Sequence, residues 1–128
     1  MTKDRLNEIC GIILDSSITV HRELGPGLLE SAYQISLKRE LELRGLKVLS
    51  RVAVNLVYKD VDLGKSYEID LLVENEIIIE LKSCESITPI FKSQIITYLK
   101  LYNKKLGYLI NFNVPLLKDG FNRIVHNF

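Results

Sequence analysis

The chain has 128 residues, enough for one domain with a hydrophobic core, and it is 47% hydrophobic and 26% charged, as soluble globular proteins are. Its formal net charge of +1 does not indicate a nucleic-acid binder, so such a role would depend on a local patch. The sequence contains no run of about 18 apolar residues, so a membrane-spanning helix is not predicted. The amphipathic N-terminus does not resemble a signal peptide, which predicts a cytoplasmic protein.

Two helices are predicted in the first third of the chain. Apolar residues recur at helical spacing over residues 5–23. The segment Gly25-Pro26-Gly27 interrupts this pattern, because glycine and proline favour turns. A second helix follows over residues 28–44, and Gly45 is the expected stop at its end.

The rest of the chain predicts strands around one further helix. β-rich segments occupy residues 47–58, 66–73 and 77–83, with a turn or loop at residues 59–65. Pro89 begins a third helix over residues 89–102. A strand at residues 106–112 and a short edge strand at residues 121–125 complete the pattern. With no repeat or linker, residues 1–128 are predicted to form a single α/β domain.

The second and third β-rich segments predict a hairpin that brings charged residues together. If residues 74–76 form its loop, Asp70 lies directly opposite Glu80, with Cβ atoms roughly 5 Å apart. Lys82 shares the face of Glu80, because side chains alternate along a strand. Two carboxylates this close repel each other unless a proton or a cation lies between them. The pattern therefore predicts a divalent-metal site and a candidate catalytic centre.

Several motifs stand in a fixed order along the chain: Gly27-Leu-Leu-Glu30-Ser-Ala-Tyr33, then Asp70, then Glu80-Leu81-Lys82, then Gln94-Ile-Ile-Thr-Tyr98, then Gly107-Tyr-Leu-Ile-Asn111-Phe112. On these motifs the chain resembles the GxxExxY protein family, a branch of the PD-(D/E)XK, or restriction-endonuclease-like, nuclease superfamily. The resemblance covers about residues 21–123. Ile69 stands where the superfamily often has the proline before its aspartate.

The resemblance implies a restriction-endonuclease-like core, with a mixed central β-sheet flanked by α-helices. It implies hydrolysis of nucleic-acid phosphodiesters with Mg²⁺, or alternatively Mn²⁺. DNA is expected over RNA. Weak sequence selectivity is expected because no separate recognition domain is evident among the 128 residues. Asp70 and Glu80 would bind the metal with help from the Leu81 carbonyl, and Lys82 would assist the nucleophile.

Two further site residues follow from the same resemblance. Glu30 on the second helix would contact the metal directly or through water, and Gln94 on the third helix would orient Lys82 or a phosphate. Structural roles remain open for both, because polar residues on helix surfaces are common. Tyr33 and Tyr98 are expected in the core, and His21 is more often structural than a general base at such a position.

Alternative functions remain open at this point. The chain could be a catalytically silent nuclease-fold module that binds nucleic acid or acts as a scaffold, or a metal-dependent hydrolase of another phosphoester. A homodimer or a larger protein complex is also open. Two basic clusters are candidate phosphate-binding surfaces or ordinary mixed helix surfaces, the first comprising Lys38, Arg39, Arg44, Lys47 and Arg51 and the second Lys100, Lys104 and Lys105.

Overall fold

The computed structural model describes residues 1–64 and 67–128. Within these ranges the helices are α1 (Lys3–Leu24), α2 (Glu30–Leu43) and α3 (Pro89–Leu101), and a 3₁₀ turn spans Leu117–Gly120. The strands are β1 (Val48–Ala53), β2 (Val57–Tyr58), β3 (Val61–Asp62), β4 (Glu68–Val73), β5 (Ile77–Lys82), β6 (Leu106–Asn111) and β7 (Phe121–Val125). None of the helices in the described ranges is long and apolar enough to cross a membrane.

The predicted elements are confirmed, with two corrections between α2 and β4. The β-rich segment at residues 47–58 is not one strand, because β1 ends at Ala53 and β2 belongs to a separate two-stranded sheet. Residues 59–65 were predicted as a turn or loop, but Val61 and Asp62 form β3, which pairs with β2. The two residues between these strands, Lys59 and Asp60, have φ angles of 46° and 68°. Two consecutive positive φ angles are what the common two-residue hairpin turn requires, so the chain reverses here. The predictions at residues 65 and 66 lie outside the described residues.

Five strands form a mixed sheet in the order β1-β4-β5-β6-β7. The pairs β1–β4, β4–β5 and β6–β7 are antiparallel, while β5 and β6 are parallel. A parallel pair needs a long crossover connection, and α3 supplies it between β5 and β6. The prediction that β7 lies at an edge of the sheet is confirmed, and β1 is the opposite edge.

Helices cover both faces of this sheet. The α1–α2 core lies on one face and includes Ile9, Ile13, Tyr33, Leu37, Leu71, Val73, Ile77, Ile79 and Leu81. The α3 core lies on the other face and includes Val54, Ile69, Leu72, Ile78, Ile95, Tyr98, Leu99 and Leu109. Because β5 alternates between the two cores, it is buried on both sides, which explains its nearly continuous apolar sequence.

The loop between α1 and α2 is fixed by Tyr33. Gly25 and Gly27 have φ angles of 69° and 97°, which glycine adopts without steric cost, so α1 can end and the chain can turn. The Tyr33 hydroxyl donates a hydrogen bond to the Gly25 carbonyl (2.6 Å) and accepts one from the Leu28 N–H (3.1 Å). Its ring stacks on Phe112, with centroids 4.5 Å apart. Tyr33 is therefore a core residue, as the sequence predicted.

Gly120 allows the chain to approach β6 closely before β7 begins. A Cβ at this position would lie 2.0 Å from the Asn111 carbonyl oxygen and 3.1 Å from Val114 Cγ2. We expect Gly120→Ala to lower the free energy of unfolding by roughly 1–3 kcal/mol, because backbone must move to make room. Urea denaturation followed by circular dichroism would measure the loss.

The matched control for this change is Gly11→Ala in α1. No described atom outside the neighbouring helix backbone lies within 4 Å of a Cβ at Gly11. Alanine should therefore raise the free energy of unfolding by about 0.5–1 kcal/mol, the usual gain inside a helix. A Gly120→Ala protein as stable as the original chain would contradict the close approach of Gly120 to Asn111.

Candidate active site

The β4–β5 hairpin has the predicted register. Val73 pairs with Ile77, and the next two pairs toward the site are Leu72–Ile78 and Leu71–Ile79. Residues 74–76 form the turn between them. The following opposed positions are therefore Asp70 and Glu80, as the sequence predicted.

The sheet divides at these two carboxylates. Beyond Leu71 and Ile79, β4 continues along β1 while β5 continues along β6. The Leu81 N–H donates a hydrogen bond to Asp70 Oδ2 (2.8 Å), and the Asp70 N–H donates to Glu80 Oε1 (3.2 Å). Each carboxylate thus accepts from the backbone of the opposite strand, where a regular ladder would have used carbonyl oxygens. We call this point the fork.

Burial at the fork disfavours two negative charges. Glu80 is only 5% exposed, and burial, followed by the charge of Asp70, raises the pKa of its carboxyl to about 9. Burial also raises the pKa of Asp70, although the hydrogen bond from Leu81 opposes this. A bound cation would remove the repulsion and favour both ionised forms. The fork therefore has the electrostatics expected of a cation site.

The donor atoms at the fork fit a hard divalent cation. Mg²⁺ prefers oxygen ligands, and proteins usually hold it through one or two carboxylates while it keeps several waters. Asp70 and Glu80 provide two such carboxylates, and each has one oxygen that accepts no hydrogen bond within the described part of the chain. Among the described residues no group of three or more acidic, histidine or cysteine side chains gathers in a way that could hold a metal.

Glu30 acts on the fork through its charge in this structure. It is exposed at the first position of α2, and its negative charge contributes to the raised pKa values of both Asp70 and Glu80. It is not gathered with them into a three-carboxylate group in the described ranges. Contact between Glu30 and a metal, directly or through water, stays a prediction, as does coordination by the Leu81 carbonyl.

Lys82 lies on the α3 side of the sheet with Glu80. Its Nζ atom is 4.4 Å from the centroid of the Phe91 ring in the first turns of α3. No carboxylate of the described residues lies within the 4.0 Å ion-pair distance of Lys82, yet its charge lowers the pKa values of Asp70 and Glu80. The aromatic ring holds the ammonium close enough to act on the fork without a fixed anionic partner.

Gln94 is half-buried on α3, between Phe91, which contacts Lys82, and Tyr98, which lies near the carboxylates of the fork. Phe91 lies three residues before it and Tyr98 four residues after it, so the three share one helix face. Tyr98 is buried, as expected, and burial followed by the charges of Glu80 and Asp70 raises its pKa to about 12. No hydrogen bond of the Gln94 side chain is formed with the described residues, and its orienting role stays a prediction.

His21 and Cys84 have structural contacts. The Nε2 atom of His21 donates a hydrogen bond to the Val114 carbonyl (2.7 Å), which places it at the end of α1 as a tether. The Cys84 thiol contacts the Ser86 carbonyl at 3.3 Å, within the turn that follows β5. The His21 contact agrees with the structural role that the sequence favoured for this residue.

Asn111 is a supporting residue to which sequence reasoning gave no role. It is 2% exposed at the end of β6 and pairs in register with Lys82. Its amide donates to the Cys84 carbonyl (2.9 Å) and accepts from the Cys84 N–H (3.2 Å), which fixes the backbone just beyond Lys82. The sequence did carry a signal for this role, because Asn111 is a polar residue at the end of an otherwise apolar strand.

One cation of the first basic cluster is already engaged by two carboxylates. Arg44 pairs with Asp15 and with Glu40, and these contacts raise its pKa further. Arg51 has one ion pair, with Glu68 on β4, but its side chain stays 74% exposed and such pairs are weak. Arg44 is therefore less available to a phosphate than its sequence position indicates, whereas the role of the second cluster stays a prediction.

The metal-free fork predicts that stability falls as the pH rises. The Glu80 carboxyl stays mostly protonated below about pH 9 in the folded chain, but only below about pH 4.5 in the unfolded chain. Between these limits the folded state binds more protons, so the free energy of unfolding decreases with pH, by at most about 1.4 kcal/mol per pH unit for one proton. Urea denaturation in EDTA at several pH values would measure this slope. Stability that rises steadily from pH 5 to pH 8 would contradict it.

Comparison with known protein families gives one match. The family model described as PD-(D/E)XK nuclease superfamily matches residues 7–124, which include α2, the fork, Lys82 and α3. Comparisons with curated proteins and with solved structures found no match. The match and the mixed sheet flanked by helices confirm the predicted superfamily and its restriction-endonuclease-like fold. The finer assignment to the GxxExxY branch stays a prediction.

Proposed function

The chain belongs to the PD-(D/E)XK nuclease superfamily, and on that premise we propose that it is a metal-dependent nuclease whose active site is the fork at Asp70 and Glu80. Membership gives a nuclease-type function with a nucleic-acid substrate, and nucleases of this superfamily generally use divalent metal ions. The observation that carries the proposal is the meeting of two carboxylates at a buried break in the sheet. They are held there by backbone hydrogen bonds, at an energetic cost that a cation would relieve.

In the proposed mechanism, the side chains around the fork divide the work. Asp70 and Glu80 would hold the cation, with the Leu81 carbonyl as the proposed third protein ligand. When bound there, a divalent cation would supply Lewis acidity for activating water and polarising the phosphodiester. Lys82 is proposed to assist the nucleophile by orienting the attacking water, or to donate a hydrogen bond to the phosphate oxygens as negative charge develops on them. Its ammonium forms no ion pair with the described residues and is available for either role.

Two residues support these groups from the flanking helices. Gln94 on α3 is proposed to orient Lys82 or a phosphate oxygen, since it lies on the helix face that carries Phe91 and Tyr98. Glu30 on α2 is proposed to contact the cation directly or through water, and its electrostatic effect on both carboxylates supports a position near them. Mg²⁺ is the proposed ion, because carboxylate and carbonyl oxygens suit it, with Mn²⁺ as the alternative.

The proposed substrate is DNA rather than RNA, cut with weak sequence selectivity. Weak selectivity is supported because the described residues outside the five-stranded sheet and its three helices form only the short β2–β3 hairpin, a 3₁₀ turn and connecting loops, and no separate base-reading unit. A cytoplasmic location, a single domain over residues 1–128 and assembly into a homodimer or a larger complex stay predictions.

A substrate panel tests the proposed function. The purified protein is incubated with labelled single-stranded, duplex and branched DNA and with RNA, each in Mg²⁺, Mn²⁺ or EDTA. We expect cleavage of at least one DNA substrate in Mg²⁺ or Mn²⁺ and none in EDTA. Binding without cleavage under every condition would contradict the nuclease proposal. It would instead favour the alternative, a catalytically silent binding or scaffolding module.

A further inference from the structure

Arg51 occupies an unusual backbone position directly beside the fork. It lies in β1 between the pairs Ser50–Leu71 and Val52–Ile69, so the register places it opposite Asp70. Its φ angle is 55°, in the left-handed region that residues with a side chain adopt uncommonly. Such a conformation persists only where the surrounding structure imposes it, and it is a reason to look for a function.

The irregularity changes which face of the sheet the two strands present. Val48 and Val73, on one side of Arg51 and Asp70, belong to the α1–α2 core. Val52 and Ile69, on the other side, pack in the α3 core. Strict alternation would keep Val48 and Val52 on the same face, so both strands switch faces at the Arg51–Asp70 position. The backbone break that releases Asp70 from the β-ladder therefore also sets the direction of Arg51.

Arg51 lines a cleft next to the fork. This cleft has a volume of about 430 Å³, and its other lining residues are on α2, namely Glu30, Ser31, Gln34 and Ile35. The Gln34 side-chain amide lies 3.4 Å from the Asp70 carbonyl oxygen, which joins the cleft to the active-site strand. Glu30, in the same cleft, is close enough to act on the pKa values of Asp70 and Glu80.

The charge balance of the cleft gives Arg51 a specific role. A phosphate that approaches the fork meets the negative charges of Asp70, Glu80 and Glu30, so it needs positive charge nearby. The Arg51 side chain is 74% exposed, and its one ion pair in the described structure joins Nε to Glu68 at 3.2 Å. Exposed pairs of this kind are weak, and the terminal guanidinium nitrogens form no hydrogen bond with the described residues. They are therefore positioned to bind a phosphate group through two parallel hydrogen bonds.

We propose that Arg51 is a substrate-binding residue whose guanidinium binds a backbone phosphate of the nucleic acid in this cleft, adjacent to the phosphodiester that is cut. Ser31 and Gln34 on α2 line the same cleft and carry neutral hydrogen-bond donors. This inference rests on the proposed function, because it takes the substrate to be a nucleic acid.

The test compares Arg51→Asn, Arg51→Lys and Arg123→Asn. Asparagine tolerates a positive φ better than most residues, so Arg51→Asn removes the guanidinium with little added backbone strain. Arg123 is an exposed arginine on β7, the opposite edge of the same sheet, and serves as the matched control. Binding of a fluorescein-labelled DNA oligonucleotide is measured by anisotropy at several salt concentrations in an Asp70→Asn background, and KM and kcat are measured in the unmodified background.

We expect Arg51→Asn to weaken binding by about tenfold and to lower the salt-dependence slope by about one, as the loss of one phosphate contact does. KM should rise by a similar factor while kcat changes less than about threefold, because the contact is equally strong before and during the reaction. Arg51→Lys should recover part of the affinity, and Arg123→Asn should match the unmodified protein.

The outcomes separate the inference from the proposed function. Equal affinity and salt dependence of Arg51→Asn and the control, together with normal cleavage, would overturn the role of Arg51 alone. Arg51-dependent binding without cleavage would support that role and overturn the proposed hydrolysis. No binding to any oligonucleotide by the Asp70→Asn protein, together with no cleavage by the unmodified protein, would overturn both.

Discussion

Asp70→Asn should reduce nucleic-acid cleavage by more than about 100-fold. Loss of groups that merely support a metal ligand costs up to about that factor, and Asp70 is proposed to bind the metal itself. Asparagine keeps the shape of the side chain and an oxygen that can accept from the Leu81 N–H, so the fork should still form. What is lost is one negative charge toward the cation. Initial rates on the best substrate of the panel, in Mg²⁺, would measure the effect.

The control for this variant is Asp119→Asn. Asp119 is exposed in the 3₁₀ turn Leu117–Gly120, outside the fork, and its carboxylate should not affect cleavage. Circular dichroism should show that both variants are folded. If Asp70→Asn cleaved at the rate of the unmodified chain, with the same metal dependence, the fork would not be the active site.

Glu80→Gln should have opposite effects on metal binding and on stability. Glutamine retains the acceptor for the Asp70 N–H but removes a titratable carboxyl group that is almost completely buried. Affinity for Mg²⁺, measured by calorimetric titration, should fall at least tenfold, because one of two carboxylates is lost. In EDTA at pH 8, however, the variant should be more stable by at least about 1 kcal/mol, because glutamine is neutral in both states whereas Glu80 has to take up a proton on folding at that pH.

The pH profile gives this prediction a further readout. The pKa of Glu80 is raised to about 9 by burial and then by Asp70, so the original chain loses stability as the pH rises between about 4.5 and about 9. Glutamine does not titrate, and the variant should lose most of that slope. Glu23→Gln, which changes an exposed glutamate on α1, is the matched control. Equal Mg²⁺ affinity in Glu80→Gln and the control would defeat the assignment of Glu80 as a metal ligand.

These opposite effects have one physical origin. A site that holds two carboxylates in partial burial binds a cation well because the metal-free state is unfavourable. The hydrogen bonds from Leu81 and Asp70 offset only part of that cost. The arrangement lowers the free energy of unfolding of the metal-free protein, and cation binding raises it again.

The sequence alone determined the elements and the register of the β4–β5 hairpin. Helical spacing predicted α1, α2 and α3 to within a few residues, and strand alternation around residues 74–76 placed Asp70 opposite Glu80. These predictions succeeded because they depend on contacts within a short stretch of chain, where side-chain periodicity fixes which residues face each other.

Only the tertiary structure decided how the charged groups are used. The fork exists because β4 follows β1 on one side and β5 follows β6 on the other, and neither neighbour is specified by the hairpin itself. For the same reason the sequence could not show that Lys82 lies over the Phe91 ring or that Arg44 forms an ion pair with Asp15. The left-handed conformation that places Arg51 beside Asp70 likewise depends on packing between distant segments, which a local sequence pattern does not encode.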